Sequence, residues 1–241
     1  MLSTTSSVAG DRRIYFQSYV DYMNKFGNHN VSGMLLWNID QYDNNAPGNL
    51  VASLPRRKMG FAGRLSYDYD NRYMFEVNAG YNGSENFAKG HKWGFFPSVA
   101  VGWNVSQENF FEPLKDVISN LKLRASYGLV GNDQLLDSSG GLIRFIYMSD
   151  ITLQSGNAGF TTGDKQQITL NGPVYTRYQN NDLTWEVGEK LNVGFDMQLF
   201  NSLNVTVDAF REIRRDIFQQ RYSIPNYLGT ASTAVYGNLA K

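Results

Sequence analysis

The stretch from Arg57 to Ser106, RKMGFAGRLSYDYDNRYMFEVNAGYNGSENFAKGHKWGFFPSVAVGWNVS, constrains the fold more than any other. Three successive segments in it alternate with a period of two, which makes each a β-strand with one apolar and one polar face. In the first, Met59, Phe61, Gly63, Leu65, Tyr67 and Tyr69 oppose Lys58, Gly60, Ala62, Arg64, Ser66 and Asp68. The second sets Tyr73, Phe75, Val77, Ala79 and Tyr81 against Arg72, Met74, Glu76, Asn78 and Gly80. The third sets Phe95, Pro97, Val99, Val101, Trp103 and Val105 against Phe96, Ser98, Ala100, Gly102 and Asn104. The first link is a two-residue turn, Asp70-Asn71, with Asn tolerating the left-handed region. The second is a long polar loop from Asn82 to Lys92.

The same alternation recurs along the chain. Residues 12 to 26 read as a strand with Ile14, Phe16, Val20 and Tyr22 on one face and Ser18 between them. A tight turn at Gly27 to Asn30 leads into Val31, Gly33, Leu35, Trp37 and Ile39. Phe110, Phe111, Leu114, Val117 and Ile118 fall at helical spacing, so a short helix is expected near 108–118, with Pro113 in its first turn. Leu121 to Leu129 alternates again. From Gly131 to Asp182 the pattern weakens, and local hairpins are expected inside one long loop, around LIRFIYM (142–148) and QITLNGPVYTRY (167–178). Trp185 to Leu199, with a bulge expected at Glu189, turns at Asn201-Ser202 into Leu203 to Ala209; a last fragment lies near Val235 to Ala240.

Composition agrees with many long strands: 14% of residues are aromatic, with 15 Tyr and 15 Phe, and only 6 are Pro. A formal charge of zero supplies no basic footprint for nucleic acid. With no Cys, disulfide scaffolds, zinc knuckles and thiol chemistry are excluded. No window reaches the roughly 18 apolar residues of a spanning helix, so any crossing of a membrane falls to strands. MLSTTSSVAGDRR has no basic region followed by an apolar one and is not a secretory signal. A location outside the cytoplasm implies residues preceding these.

Short links (27–30, 70–71, 107–119, 201–202) alternate with long ones (44–55, 82–92, 131–182, 219–234), as if every long loop lay at one end. Short turns at one end, long loops at the other and alternating strands of about ten residues are the pattern of an outer-membrane barrel. Tyr73 and Tyr81 are eight residues apart on one face, about 26 Å along a strand and about 19 Å of height at a tilt of ~45°, so they can approach opposite interfacial belts. Tyr67, Tyr69, Phe95 and Trp103 fit the same girdles. Arg64, Glu76, Arg124 and Asp208 lie on the opposite, lumen-side face, where they can meet a plug or solute or pair across strands.

These segments also resemble a known family, the SusC/RagA TonB-linked outer-membrane proteins of Bacteroidetes-type bacteria. The resemblance is carried by FAGRLSYDYDNRYMFEVNAGYNGSENFAKGHKWGFFPSVAVGW, LKLRASYGLVGND and LTWEVGEKLNVGFDMQLFNSLNVTVDAFREIRRDIF. It implies part of a barrel of roughly 22 strands. It further implies a plug, a TonB-contacting segment and an N-terminal domain outside these residues, and import of oligosaccharides or peptides with a SusD-like lipoprotein as lid. About ten strands are expected here, as an open curved antiparallel sheet whose first and last strands lack partners, in one barrel domain over 1–241 with 131–182 as an external loop region.

Other chemistry finds little support. His29 and His91, the only histidines, lie in different connections and cannot share a metal or a triad. Asp68, Asp70 and Asn71 lack the Gly and final Glu of a calcium loop and read as turn residues. Gly128-Leu129-Val130-Gly131 lacks the GK[ST] of a phosphate loop. Arg56, Arg57 and Lys58 read as a solvated charge run, with lipopolysaccharide phosphates as the sharper alternative. Loop tyrosines Tyr175, Tyr178 and Tyr227 can stack on sugar rings or pack within turns. No catalytic residue, cofactor or metal site is expected, and no nucleic-acid partner. The competing reading is a soluble or surface-attached β-sandwich that binds glycans.

Overall fold

Cross-strand pairing of the alternating segments builds most of the structure, a computed structural model that describes residues 10–45, 50–136, 140–165, 167–223 and 235–241. The strands in chain order are β1 (Asp11–Phe26), β2 (His29–Asn44), β3 (Arg56–Tyr69), β4 (Tyr73–Ser84), β5 (Trp93–Asn104), β6 (Ile118–Asn132), β7 (Leu135–Leu136), β8 (Leu142–Ile143), β9 (Asp150–Thr162), β10 (Ile168–Arg177), β11 (Glu186–Leu199), β12 (Leu203–Arg215), β13 (Ile217–Gln220) and β14 (Tyr236–Ala240). They divide between two compact units.

The first unit is one eight-stranded antiparallel sheet in the order β1-β2-β3-β4-β5-β6-β11-β12. It is open: among the described residues β1 and β12 are its edges, and an open sheet is what the family resemblance implied. Registers keep every apolar set in phase. Trp37 pairs with Phe61, Phe61 with Tyr81 and Tyr81 with Phe95; likewise Gly33 with Leu65, Leu65 with Val77, Val77 with Val99 and Val99 with Tyr127. A slip of one residue in any strand would move its whole apolar set to the other face, so the pattern itself selects the register.

All the short links sit along one edge of this sheet. Asp70 donates its amide to the carbonyl of Asn28, Asn104 to Arg72, and Phe200 to Val117, at 2.7–3.0 Å, stitching successive turns together. The link after β3 comprises three residues, not two, because Tyr69 pairs with Tyr73; Asp70 (φ 54°) and Asn71 (φ 55°) are both left-handed. Left-handed residues also open the last turn, at Phe200 and Asn201, one residue earlier than Asn201-Ser202. The turn after β2's predecessor is confined to Gly27 and Asn28, with pairing resumed at His29.

Two further expectations need correction. The connection near 108–118 is two 3-10 pieces, Val105–Gln107 and Asn109–Leu114, with Pro113 near the end of the second. Nor is there a bulge at Glu189, because β11 and β12 pair continuously from Val187↔Arg215 to Leu199↔Leu203. Glu189 stays in phase on the apolar face, where Arg215 Nε neutralises it at 3.0 Å.

The second unit comprises Glu85–Lys92, Asp133–Glu186 and Asp216–Lys241, and so collects residues from three of the four long connections. It has its own core. Phe87, Leu135, Ile143, Phe145, Ile146, Leu183, Trp185 and Tyr236 are all buried, with Phe87 and Ile146 at 0% exposure. Two hairpins, β9 with β10 and β13 with β14, and the small β7–β8 ladder complete it. β9 escaped the sequence reading because register shifts at Leu170/Gly172, Gly172/Val174 and Tyr175/Arg177 break the period of two. The last strand, β14, pairs with β13 in this unit and not with the sheet.

Candidate functional site

The chemistry of the sheet is divided between its two faces. On the apolar face, Val20, Leu35, Leu65, Val101 and Val193 are each at least half exposed, with Leu35 at 71%. Exposed apolar area on monomers in water seldom forms one patch larger than a few hundred Å², whereas these residues recur on β1, β2, β3, β5 and β11 of one sheet face. The expected girdle residues lie on this face at two levels. Tyr67, Tyr69, Tyr73 and Trp103 occupy the short-link level, and Tyr81 and Phe95 the long-loop level.

The upper level is larger than expected. Phe16, Trp37, Phe61, Trp93 and Tyr81 form a continuous aromatic run, with centroid separations of 5.6 Å (Phe16–Trp37), 6.4 Å (Trp37–Phe61), 6.4 Å (Phe61–Trp93) and 4.7 Å (Tyr81–Trp93). Their membership was visible only once the registers were known. At the lower level Tyr69 and Tyr73 stack at 6.5 Å, and His29 joins them, its Nδ1 2.8 Å from the Tyr67 hydroxyl. That contact gives His29 a structural partner, and among the described residues no group of metal-ligating side chains forms.

One carboxylate ties the lower girdle to the following 3-10 turns. Glu108 accepts the Tyr73 hydroxyl at 2.6 Å and the Trp103 indole N–H at 3.3 Å. These bonds, with the more distant Arg72, hold the Glu108 carboxyl below its ordinary range. Glu108 escaped the sequence reading, since a lone acid in a link carries no periodic signal.

The opposite face brings the four expected polar residues into two clusters. In the first, Arg64 Nε donates to Asn78 Oδ1 (3.0 Å) and lies 3.9 Å from Glu76, which also accepts from Asn78 (2.7 Å) and Ser66 (3.0 Å). In the second, Arg124 on β6 reaches Asp196 on β11 (3.4 Å) and Asp208 on β12 (2.8 Å). Gly194 makes that reach possible. It pairs with Asp208, and a Cβ there would stand 2.5 Å from Asp208 Oδ1. Asp196 is the addition the sequence reading missed. These partly exposed pairs contribute ~1 kcal/mol or less apiece, so they leave the face polar and accessible more than they stabilise it.

In the second unit, Tyr175 and Tyr178 stack on one another at 5.1 Å, and Tyr227 lies outside the described residues. Asn86 donates to the carbonyl of Asp133 from a buried position, Trp185 Nε1 to that of Lys92, and Asn238 both donates to and accepts from Thr184. These bonds cross-link the loops. Burial, and to a lesser degree Glu85, pushes the Tyr147 phenol up.

An open antiparallel sheet, apolar and exposed on one side, polar on the other, with short turns along one edge, is a segment of β-barrel wall. The sequence matches the family model for the TonB dependent receptor-like β-barrel over residues 2–241, and the chain belongs to that family. It is 29% identical to TonB-dependent receptor P3 of Formosa agariphila, an alignment covering 90% of this chain and 22% of that protein. It is 32% identical to TonB-dependent receptor SusC of Bacteroides thetaiotaomicron over 59% of this chain and 13% of SusC. Among solved structures, the RagAB peptide transporter superposes with a TM-score of 0.71 at 19% identity, over 95% of this chain and 26% of that one. The chain therefore spans less than a quarter of the length of these curated relatives. The β-sandwich reading falls with this membership, and the apolar face has the exposure of a wall, not of a layer covered by a second sheet.

Proposed function

We propose that the chain supplies consecutive wall strands of an outer-membrane, TonB-dependent transporter of a Bacteroidetes-type bacterium. One observation carries the reading: the apolar face of β1 to β6, β11 and β12 is continuous, in register and exposed. Lipid is the phase that satisfies such a face. In this arrangement Tyr67, Tyr69, Tyr73, Tyr81, Phe95 and Trp103 sit at the two lipid interfaces, and Arg64, Glu76, Arg124 and Asp208 face the lumen. Residues 131–182 serve as an external loop region. The cargo is an oligosaccharide or a peptide, received with a SusD-like surface lipoprotein, and the energy arrives through the TonB complex acting on parts of the protein beyond this stretch. The strands themselves perform no covalent chemistry. Similarity to TonB-dependent receptor SusC supports the transporter class, and the RagAB peptide transporter supports peptide as one form of cargo.

A charge on the lipid face tests the reading. Val77→Arg or Val101→Arg in the full-length protein should weaken membrane insertion by ~2–4 kcal/mol, the cost of Arg at the midplane of a barrel's outer face. Heat-modifiable migration and the fraction recovered in the outer membrane report it; normal insertion of both variants would overturn the assignment.

A further inference from the structure

The apolar face carries ionised side chains at one end only. Following the registers, its arginines are Arg12 on β1, Arg57 on β3, and Arg211 and Arg215 on β12, and its acids are Asp43 and Glu189. All six lie at the long-loop end of their strands; from the aromatic run down to the short links the described residues of this face hold no Asp, Glu, Lys or Arg. The run Arg56-Arg57-Lys58, which looks in sequence like one basic cluster, is split by the pleat. Arg57 goes to the apolar face; Arg56, stacked 5.4 Å from the Tyr42 ring, and Lys58 go to the other.

Two of the acids' neighbours already account for them. Glu189 is paired with Arg215 at 3.0 Å. Asp43 accepts from Gln41 (3.0 Å), which in turn accepts from Arg57 Nε (3.3 Å). This chain of bonds orients the Arg57 side chain and lies across from Arg12, which pairs in register with Asp43. Arginines thus outnumber acids four to two at this rim.

Spacing supplies the second element. Arg12 stands four residues before Phe16, and Arg57 four before Phe61, each pair on one face. Four residues advance a strand about 13 Å, or about 9 Å of height at a 45° tilt, so both guanidinium groups lie just above the stacked Phe16-Trp37-Phe61-Trp93 run. A cationic rim above an aromatic shelf is complementary to an amphiphile with an anionic head and acyl tails. Guanidinium groups favour phosphate, whose oxygens they grip in pairs.

We propose that Arg12 and Arg57 form a binding site for the headgroup phosphate of an outer-leaflet lipid, with the aromatic run as the shelf for its acyl chains. The site rests on the lipid-facing reading above and deepens it: the long-loop end of the wall reads a phosphorylated lipid, while the described residues of this face at the short-link end, among them Phe26, Tyr73, Trp103 and Leu203, offer no guanidinium.

The test uses the full-length protein in neutral detergent, with bis-phosphorylated lipid A and its dephosphorylated counterpart as probes and native mass spectrometry as readout. Wild type should retain the phosphorylated probe preferentially, and excess inorganic phosphate should not displace it, because the shelf contributes as well. Arg12→Gln with Arg57→Gln should weaken phosphorylated-lipid binding roughly thirty-fold, at about a fivefold loss per arginine, and leave the dephosphorylated probe unchanged. Lys58→Gln, on the other face, should bind as wild type. Arg12→Lys with Arg57→Lys keeps the charge, folds more conservatively and should show an intermediate loss. Equal retention of both probes, an undiminished double Gln variant, or an equal loss in Lys58→Gln would overturn the site. The lipid-facing reading fails separately, through normal insertion of Val77→Arg and Val101→Arg.

Discussion

Gly194 shows how much one position can decide. Its missing side chain lets Arg124 cross β11 to Asp208, and an added Cβ would also approach the Val207 carbonyl to 2.7 Å. That second contact is with backbone, which cannot swing away. Gly194→Ala should therefore cost about 1–3 kcal/mol in detergent-solubilised unfolding, as overpacking does. It should also loosen the Arg124–Asp208 pair, whereas Asp208→Asn should cost under about 1 kcal/mol because the pair is partly exposed. Glu108 supplies a prediction in pH. Its carboxyl is held low by Tyr73 and Trp103, so the ionised form stabilises the folded state at any pH above the unfolded value of about 4.3. That contribution is lost as pH falls through the lower folded value. Comparing thermal midpoints of wild type and Glu108→Gln should reveal a gap at neutral pH that closes in acid; a gap independent of pH would contradict the assignment.

At the scale of strands and turns, legibility followed periodicity. The eight sheet strands could be read because their apolar residues recur at a period of two, even where a second apolar set interrupts the other face, as Tyr15, Tyr19 and Met23 do in β1. Turn details could not: Phe200 at φ 50° is a bulky residue in the left-handed region, held there as its amide donates to the Val117 carbonyl and the next amide, of Asn201, donates to the Ser119 hydroxyl 82 residues earlier. Likewise Glu108, between the two 3-10 pieces of 105–114, is bound to Tyr73 and Trp103, contacts that spacing alone does not report. The long-loop residues were the least legible part. Their apolar members, Phe87, Ile146, Leu183 and Trp185, are scattered over a hundred residues and make sense only as one core. Phe87→Ala should remove about 3–5 kcal/mol from that core, Trp185 losing a ring partner at 5.4 Å. Limited proteolysis should then cut within 85–92 and 133–186 while the sheet stays resistant; equal protection of both variants would show that the core is not cooperative.

For the whole molecule, sequence could give class but not cargo. The aromatic rows of one face and the charged clusters of the other emerged from registers; residues that would select a cargo carry no such pattern. The central claim is that one face of the sheet meets lipid and the other water. The absence of cysteine in these 241 residues allows single-cysteine spin labels to be placed along β4 and β5 without background from this stretch. Oxygen, which concentrates in lipid, and a water-soluble nickel chelate then compete as relaxing agents in the membrane-embedded full-length protein. The account predicts strict alternation: labels at Phe75, Val77, Val99 and Val101 relaxed by oxygen, labels at Glu76, Asn78, Ser98 and Ala100 relaxed by the chelate. Chelate access on both faces, or shielding of the apolar positions from both agents as in a sheet buried against protein, would contradict it.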